Sequence, residues 1–388
     1  MTQDLTVGKP ISRIWQFAVP VLFGLLLQQV YSLVDTAIVG HALGVMALGG
    51  VGATGSVNFL VLGFCGGLCT GMAIPLAQAF GAGEYRQLRR YVAGCVWLGL
   101  IMSAVLLAVT LPGTRGLLRL MGTPEEQMDY AFNYIFIIFV GIPTTILYNM
   151  GACVLRALGD SKSPVWFLAA ASAINIVLDL LTVCVLGLGV AGAAIATVIG
   201  QIVAFILAVY FNRHKNPDLH LDFKKFKPSG RFIGEIYKIG VPSILMVAIG
   251  SVMTYFMNKI LIAYTLGKEL SVNVFGAFFK LNSFICMPIF GLNNGVIPII
   301  AYNYGAMKKH RMIKTIKLSV VYAEVFSIIG AILFFALPKV LLEFFSATPE
   351  MLRIGIPALK IISVSFLFAG ANIALSGVFQ SFGKSIFS

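Results

Sequence analysis

Charge is what this sequence has least of: Asp, Glu, Lys and Arg together make up 11% of 388 residues, against roughly 25% in an ordinary soluble domain. Between Ser163 and Asn212 the only charged residue is Asp179, and no helix facing water is built from such a stretch. A soluble enzyme is excluded. Histidine is nearly as scarce. His41, His214, His220 and His310 fall in loops or at the ends of apolar runs, so there is no His-rich or HExxH helix of the kind a membrane-embedded enzyme needs. Cys65, Cys69, Cys95, Cys153, Cys184 and Cys286 all lie inside apolar segments with no histidine close in sequence, which argues against a disulfide framework and against a zinc site. No cofactor is expected. The first apolar segment follows Pro10 and Arg13 and carries no small-residue cleavage site; it reads as a retained span rather than a leader.

What is present is apolar surface in membrane-length runs. Crossing the hydrocarbon takes about 20 helical residues, and ten such runs occur, near residues 12–39, 46–79, 90–111, 130–155, 164–186, 190–211, 238–264, 272–303, 315–337 and 355–382. The net charge of +13 sits in short loops between these runs, a pattern of membrane orientation rather than of nucleic-acid binding. With the first residues inside, 20 of the 28 Lys and Arg fall on the inner side and 5 on the outer. The positive-inside rule therefore predicts a multi-pass protein of the inner (plasma) membrane with a cytoplasmic N-terminus.

The chain repeats itself with a period of about 224 residues. Arg-Ile-Trp-Gln-Phe-Ala-Val-Pro ending at Pro20 returns as Glu-Ile-Tyr-Lys-Ile-Gly-Val-Pro ending at Pro242. Phe80-Gly81-Ala82 returns as Tyr304-Gly305-Ala306, Thr123-Pro124-Glu125 as Thr348-Pro349-Glu350, and Gly159 as Gly383. An even number of spans separates the copies, so they run parallel. The predicted organisation is a first lobe over 1–212, a basic linker over 213–229 and a second lobe over 230–388, with a cleft between the lobes as substrate route. The first copy continues through two spans after Gly159 and the second stops five residues after Gly383. An eleventh and twelfth span are expected to be missing from this chain.

A carboxylate in hydrocarbon is costly unless it faces protein interior or water, so intramembrane acids are functional candidates. There are three: Asp35, Asp179 and Glu324. Gln28, Tyr31, Ser32 and Asp35 share one helical face, as do Ser172, Asn175 and Asp179, while Thr197 and Gln201 are one turn apart. Counting at 1.5 Å per residue puts Asp179 about 22 Å beyond Pro164 and Asp35 about 33 Å beyond Arg13, with Thr197 about 10 Å below the outer start of its span. All three can meet in the outer half of the first lobe, with Asp35 near its rim. Asn149, about 27 Å from the outer end of its span, joins them only if that helix begins above the membrane. Two carboxylates there can share a proton, or Asp35, Asn175, Asp179 and Thr197 can offer hard oxygens to a small alkali cation. Gln28, Gln201, Lys280 and Glu324 are candidates for lining the cleft. The second copy has Asn258 where the first has Asp35, so coupling is expected in the first lobe. Pro20 and Pro242 are expected to be carried within helices, and Gly67 and Gly71, like Gly192 and Gly200, to let backbones approach.

The segments Val34-Asp35-Thr36-Ala37-Ile38-Val39-Gly40-His41, Ala157-Leu158-Gly159-Asp160-Ser161-Lys162, Asn175-Ile176-Val177-Leu178-Asp179 and Gly189-Val190-Ala191-Gly192-Ala193-Ala194 resemble the multidrug and toxic compound extrusion family. So do Met287-Pro288-Ile289-Phe290-Gly291 and Asn303-Tyr304-Gly305-Ala306. The resemblance implies an all-α integral membrane protein, a two-lobe bundle of six helices per lobe of which about ten lie in this chain. It implies alternating access and export of cationic or amphipathic small molecules against H+ or Na+. It also implies a first-lobe cation site at Asp35, Tyr31, Asn175, Asp179, Asn149 and Thr197. Expected partners are those small molecules and the lipid bilayer, with no nucleic acid and no obligate protein partner. The alternative within the same superfamily is a flippase for lipid-linked oligosaccharides, which would prefer a basic cleft, for which Lys280 is the one deep candidate. The alternative from another class, a membrane-embedded enzyme, lacks a catalytic constellation.

Overall fold

A computed structural model of the chain describes residues 4–120, 122–215, 230–264, 270–344 and 347–388. Among these residues the architecture is helical without strands. The first lobe contains α1 (Pro10–Ala53), α2 (Gly55–Gly81), α3 (Tyr85–Leu120), α4 (Met128–Val140), α5 (Ile142–Ala157), α6 (Ser163–Asp179) and α7 (Gly189–Lys215). The second contains α8 (Gly230–Tyr264), α9 (Leu270–Gly305), α10 (Lys309–Ala336), the short α11 (Pro338–Glu343), α12 (Pro349–Ser363) and α13 (Phe366–Ser381). Seven of the described helices are long and apolar enough to cross a membrane, and two bent pairs raise the number to nine if each acts as one span. The run at 238–264 lies in α8, 35 residues long. Some of its side chains, that of Asn258 included, lie outside the described residues, as does the linker from residue 216 to 229.

The repeat in sequence is a repeat in packing. Gly67 and Gly71 of α2 sit against Ile244 and Gly240 of α8, and Gly291 and Gly295 of α9 sit against Leu22 and Ala18 of α1. Each glycine of the first pair is 224 residues from its counterpart. Without side chains at these points, helix axes of opposite lobes come into backbone contact. The approach is tightest where α2 and α9 end. A Cβ on Gly81 would stand 2.1 Å from the Tyr302 carbonyl oxygen, and one on Gly305 would stand 2.0 Å from that of Gln78. The largest buried cluster spans the two lobes here, with Phe17, Leu68, Met72 and Leu76 facing Ile236, Ile289, Ile299 and Ile300. These cross-lobe contacts occupy the halves of the helices nearer the first residues of the chain. Toward the other end Val252 and Phe256 of α8 and Phe279 and Phe284 of α9 are exposed. The two halves of the chain pack against each other at the end where α2 and α9 finish.

Two spans read as single runs are broken. α4 and α5 meet at 49° across Gly141, and α12 and α13 meet at 51° across Val364 and Ser365. Gly141 and Ser365 are again 224 residues apart, so the break belongs to the repeated unit. In the second lobe α10 supplies its hydrogen bonds. The Ser327 hydroxyl donates to the Phe366 carbonyl (2.5 Å) and accepts the Gly370 N–H (3.0 Å), and Glu324 Oε2 accepts the Ala371 N–H (2.8 Å). Pro20 and Pro242 lie inside continuous helices, and the non-helical residue within α1 is Gly44, at φ 83°.

Candidate functional site

The helix that carries Asn175 and Asp179 is fixed at its start by Asp160, whose Oδ1 accepts the N–H groups of Lys162 (3.1 Å) and Ser163 (3.0 Å). These are helix-start groups that would otherwise lack partners. α6 ends at Asp179, and the chain continues as a π-helical turn over Leu180–Val185, a feature that concentrates at functional sites because it re-aims side chains within a helix. Gly187 and Gly189, both at φ 62°, reverse the chain into α7. α7 can lie close on α6 because Gly192 faces Thr182 and Gly200 faces Ala171 and Asn175 at about Cβ-contact distance. Asn175, Asp179 and Thr197 thereby come to one crossing, which α1 covers with Tyr31 and Asp35.

The site is buried. Asp179 is 0% exposed, Asn175 2% and Asp35 6%. The Thr197 hydroxyl is its hub: Tyr31 Oη lies 3.1 Å from Thr197 Oγ1, and Asn175 Nδ2 donates to the same oxygen at 3.4 Å. The carboxyl groups of Asp35 and Asp179 are within hydrogen-bonding reach of each other. Ionised carboxylates only accept hydrogen bonds; two in contact need a shared proton or a cation between them. Other oxygens here are also without protein donors: Asp35 Oδ1, Asn175 Oδ1, both oxygens of Asp179 and Gln201 Oε1 are buried and unpartnered. Buried polar atoms are normally paired. The donors present are spent on Thr197 and the atoms left over are all acceptors, so what would complete the site is a positive charge or a proton. Hard carboxylate, amide and hydroxyl oxygens suit an alkali cation as well as a proton.

Of the residues expected at the site, Asp35, Tyr31, Asn175, Asp179 and Thr197 come together. Asp35 is inside the cluster rather than at its rim. Asn149 Nδ2 donates to the Thr145 carbonyl of its own helix at 2.8 Å. Gln201, expected to line the cleft, has a buried Oε1 without a protein donor, one helical turn from Thr197 on α7. Gln28 and Lys280 are exposed, and Glu324 is engaged by the Ala371 N–H in the second lobe. One neighbour went unread in the sequence. Tyr134 of α4, 7% exposed, lies near Asp35, Tyr31 and Asp179. It belongs to an aromatic-rich run, Tyr130 to Phe139, in which nothing marks one ring over another.

The MatE family model matches residues 20–181 and 242–388, one segment in each lobe. The chain is 29% identical over 385 residues to the probable multidrug resistance protein YpnP of Bacillus subtilis, covering 99% of this chain and 85% of that protein. It is 26% identical over 369 residues to the multidrug export protein MepA of Staphylococcus haemolyticus, covering 95% of this chain and 80% of the relative. A crystal structure of a MATE protein in a bent conformation superposes with a TM-score of 0.91 at 24% identity, over 99% of this chain and 85% of that one.

Proposed function

The chain belongs to the MatE family, the multidrug and toxic compound extrusion transporters, and from that membership we propose that it exports amphipathic organic cations in exchange for H+ or Na+. It is a multi-pass membrane transporter and not an enzyme. The observation that carries the exchange reading is that Asp35 and Asp179 are buried beside Asn175 with carboxyl oxygens that have no donors. A site of this composition binds a proton or a hard cation and changes charge when it lets go. The named relatives, a multidrug export protein and a probable multidrug resistance protein, support drugs as cargo.

In this reading the first lobe binds the coupling ion, and the two lobes rock about their crossing so that the cleft opens to one side at a time. The closed end, where the first residues lie, faces the cytoplasm of a cell whose inner membrane holds the protein, following the basic loops. Residues 1–212 and 230–388 act as the two rocking bodies. Tyr31 and Asn175 hold Thr197 in place, while Asp35 and Asp179 take the ion.

The test is efflux of a fluorescent organic cation from cells carrying the parent, Asp35→Asn or Asp179→Asn, at matched membrane abundance. Each variant is expected to cut efflux at least about tenfold, the scale of losing a charged partner in a buried cluster. Efflux at the parent rate in either variant would remove that residue from the coupling site.

A further inference from the structure

Residues 4–8 precede the first helix, where Arg13 Nε of α1 donates to the Val7 carbonyl at 3.1 Å, yet most of the side-chain hydrogen bonds to their carbonyls come from the second lobe. Leu5 is 0% exposed and joins the cluster that spans the lobes, with Phe17, Ile299, Ile300 and Tyr302. Its carbonyl accepts from Asn303 Nδ2 of α9 and from Arg311 Nη2 of α10, both at 3.3 Å. Arg311 goes further along the segment, Nη2 to the Val7 carbonyl at 3.3 Å and Nη1 to the Gly8 carbonyl at 2.6 Å. One guanidinium thus collects three carbonyls of a five-residue strap. Gly8 turns the chain at φ 86° so that α1 can begin at Pro10. At the other end of the strap, Thr6 donates its N–H (2.8 Å) and hydroxyl (2.7 Å) to Asp4 Oδ1.

The strap lies where the closed end is sealed. Asn303, which holds Leu5, is two residues from Gly305, whose backbone meets Gln78; Tyr302, on the other side, meets Gly81. The same end is tied across the lobes by Gln78 Nε2 to the Ser381 carbonyl (2.7 Å) and by the Tyr91–Glu235 hydrogen bond. Those ties belong to helices and part when the helices part. The strap differs, because it is joined covalently to α1 and docked on α9 and α10. It also breaks the two-fold pattern. The positions 224 residues before Asn303 and Arg311 are Ala79 and Gln87, neither of which offers a comparable clamp. If the lobes separate at this end, either Arg311 releases the strap or the strap is stretched off α1.

We propose that residues 4–8 are a latch on the closed end, that Arg311 is the residue positioning it, and that the latch leaves the second lobe before that end opens. The proposal rests on the alternating-access reading above but not on the identity of cargo or ion. It is tested in nanodiscs and proteoliposomes with the full chain, its six native cysteines replaced by alanine. A reporter Ala301→Cys, buried at the seal, is labelled with an impermeant maleimide, and Phe284→Cys reports on the opposite end. Arg311→Gln is expected to raise labelling at the seal at least about fivefold and to lower it at the other end, the size of an ordinary coupling between sites. Labelling unchanged at both ends, in folded protein, overturns the proposal.

A second arm covers the case in which Arg311→Gln does not fold. Leu5→Cys and Asn303→Cys are joined by a short thiol-reactive, disulfide-containing cross-linker. Movement of the fluorescent cation by cross-linked protein is expected to fall to background and to return on reduction. Movement at the uncross-linked rate with the bridge verified intact would show that the strap need not leave. If the parent moves none of the cations offered, labelling at the two ends of cross-linked and reduced protein still reads the latch. A wrong cargo assignment and a wrong latch are therefore told apart.

Discussion

At the scale of single residues the proposed cation site rests on Asp179, fully buried, and on Asp35 at 6% exposure. Asn keeps the shape of either side chain and removes the ability to exchange a proton, so Asp179→Asn is expected to keep the fold and lose coupling. Thermal melting beside transport separates the two effects. Gly305 is a sharper test of geometry. A methyl there would stand 2.0 Å from the Gln78 oxygen, so Gly305→Ala is expected to destabilise closure by about 1–3 kcal/mol, the range for overpacking. Faster maleimide labelling of Ala301→Cys would register it. Asp4, outside the spans, titrates in the opposite sense to a group waiting for protons. Burial pushes its carboxyl up, but the Thr6 hydroxyl and N–H together with Arg13 and Arg311 outweigh this and hold it below the usual 3.8. A depressed carboxyl contributes stability above its unfolded value and loses it as pH falls through the folded one. Spin-label distances from the strap to α10 are therefore expected to be constant between pH 8 and pH 5. Tyr31, Asp35, Asn175, Asp179 and Thr197 were legible because a polar residue in an apolar run is conspicuous. Leu5 and Arg311 were not, since the Arg311–Gly8 contact joins residues 303 apart and neither residue is unusual where it stands.

At the scale of elements the least legible features are the breaks. The runs at 130–155 and 355–382 read as uninterrupted because Gly141 and Ser365 sit among apolar neighbours, and a hydropathy run does not register a bend of 49° or 51°. The bend between α12 and α13 is held from outside, by Ser327 and Glu324 of α10, through pairings about 40 residues apart or more. Ser327→Ala removes a hydroxyl that satisfies both the Phe366 carbonyl and the Gly370 N–H. It is expected to lower stability by about 1–3 kcal/mol, read as a fall in melting temperature in detergent. The π-helical turn after Asp179 was equally invisible, because α and π segments use the same residues. The glycines were readable as close-approach points, although Gly67 and Gly71 turned out to face the opposite lobe. Their spacing says that something packs there, and only the fold says what.

At the scale of the molecule the 224-residue repeat carried the most information, since it set the lobes in parallel and its glycines meet across them. Its asymmetries are where function concentrates. The cluster of unpartnered oxygens is in the first lobe, and the strap is clamped by the second. Under the proposed function, a cation site in one lobe and a seal between both would let ion binding bias rocking. The most direct measurement reconstitutes the chain in proteoliposomes with a fluorescent organic cation and imposes a proton gradient and a sodium gradient separately. Coupled exchange requires that one gradient drive the cation uphill in the parent and that Asp35→Asn and Asp179→Asn abolish the drive while the protein remains folded. Uphill movement that persists in both variants, or none with either ion in folded parent, would contradict a coupling site built from Asp35 and Asp179.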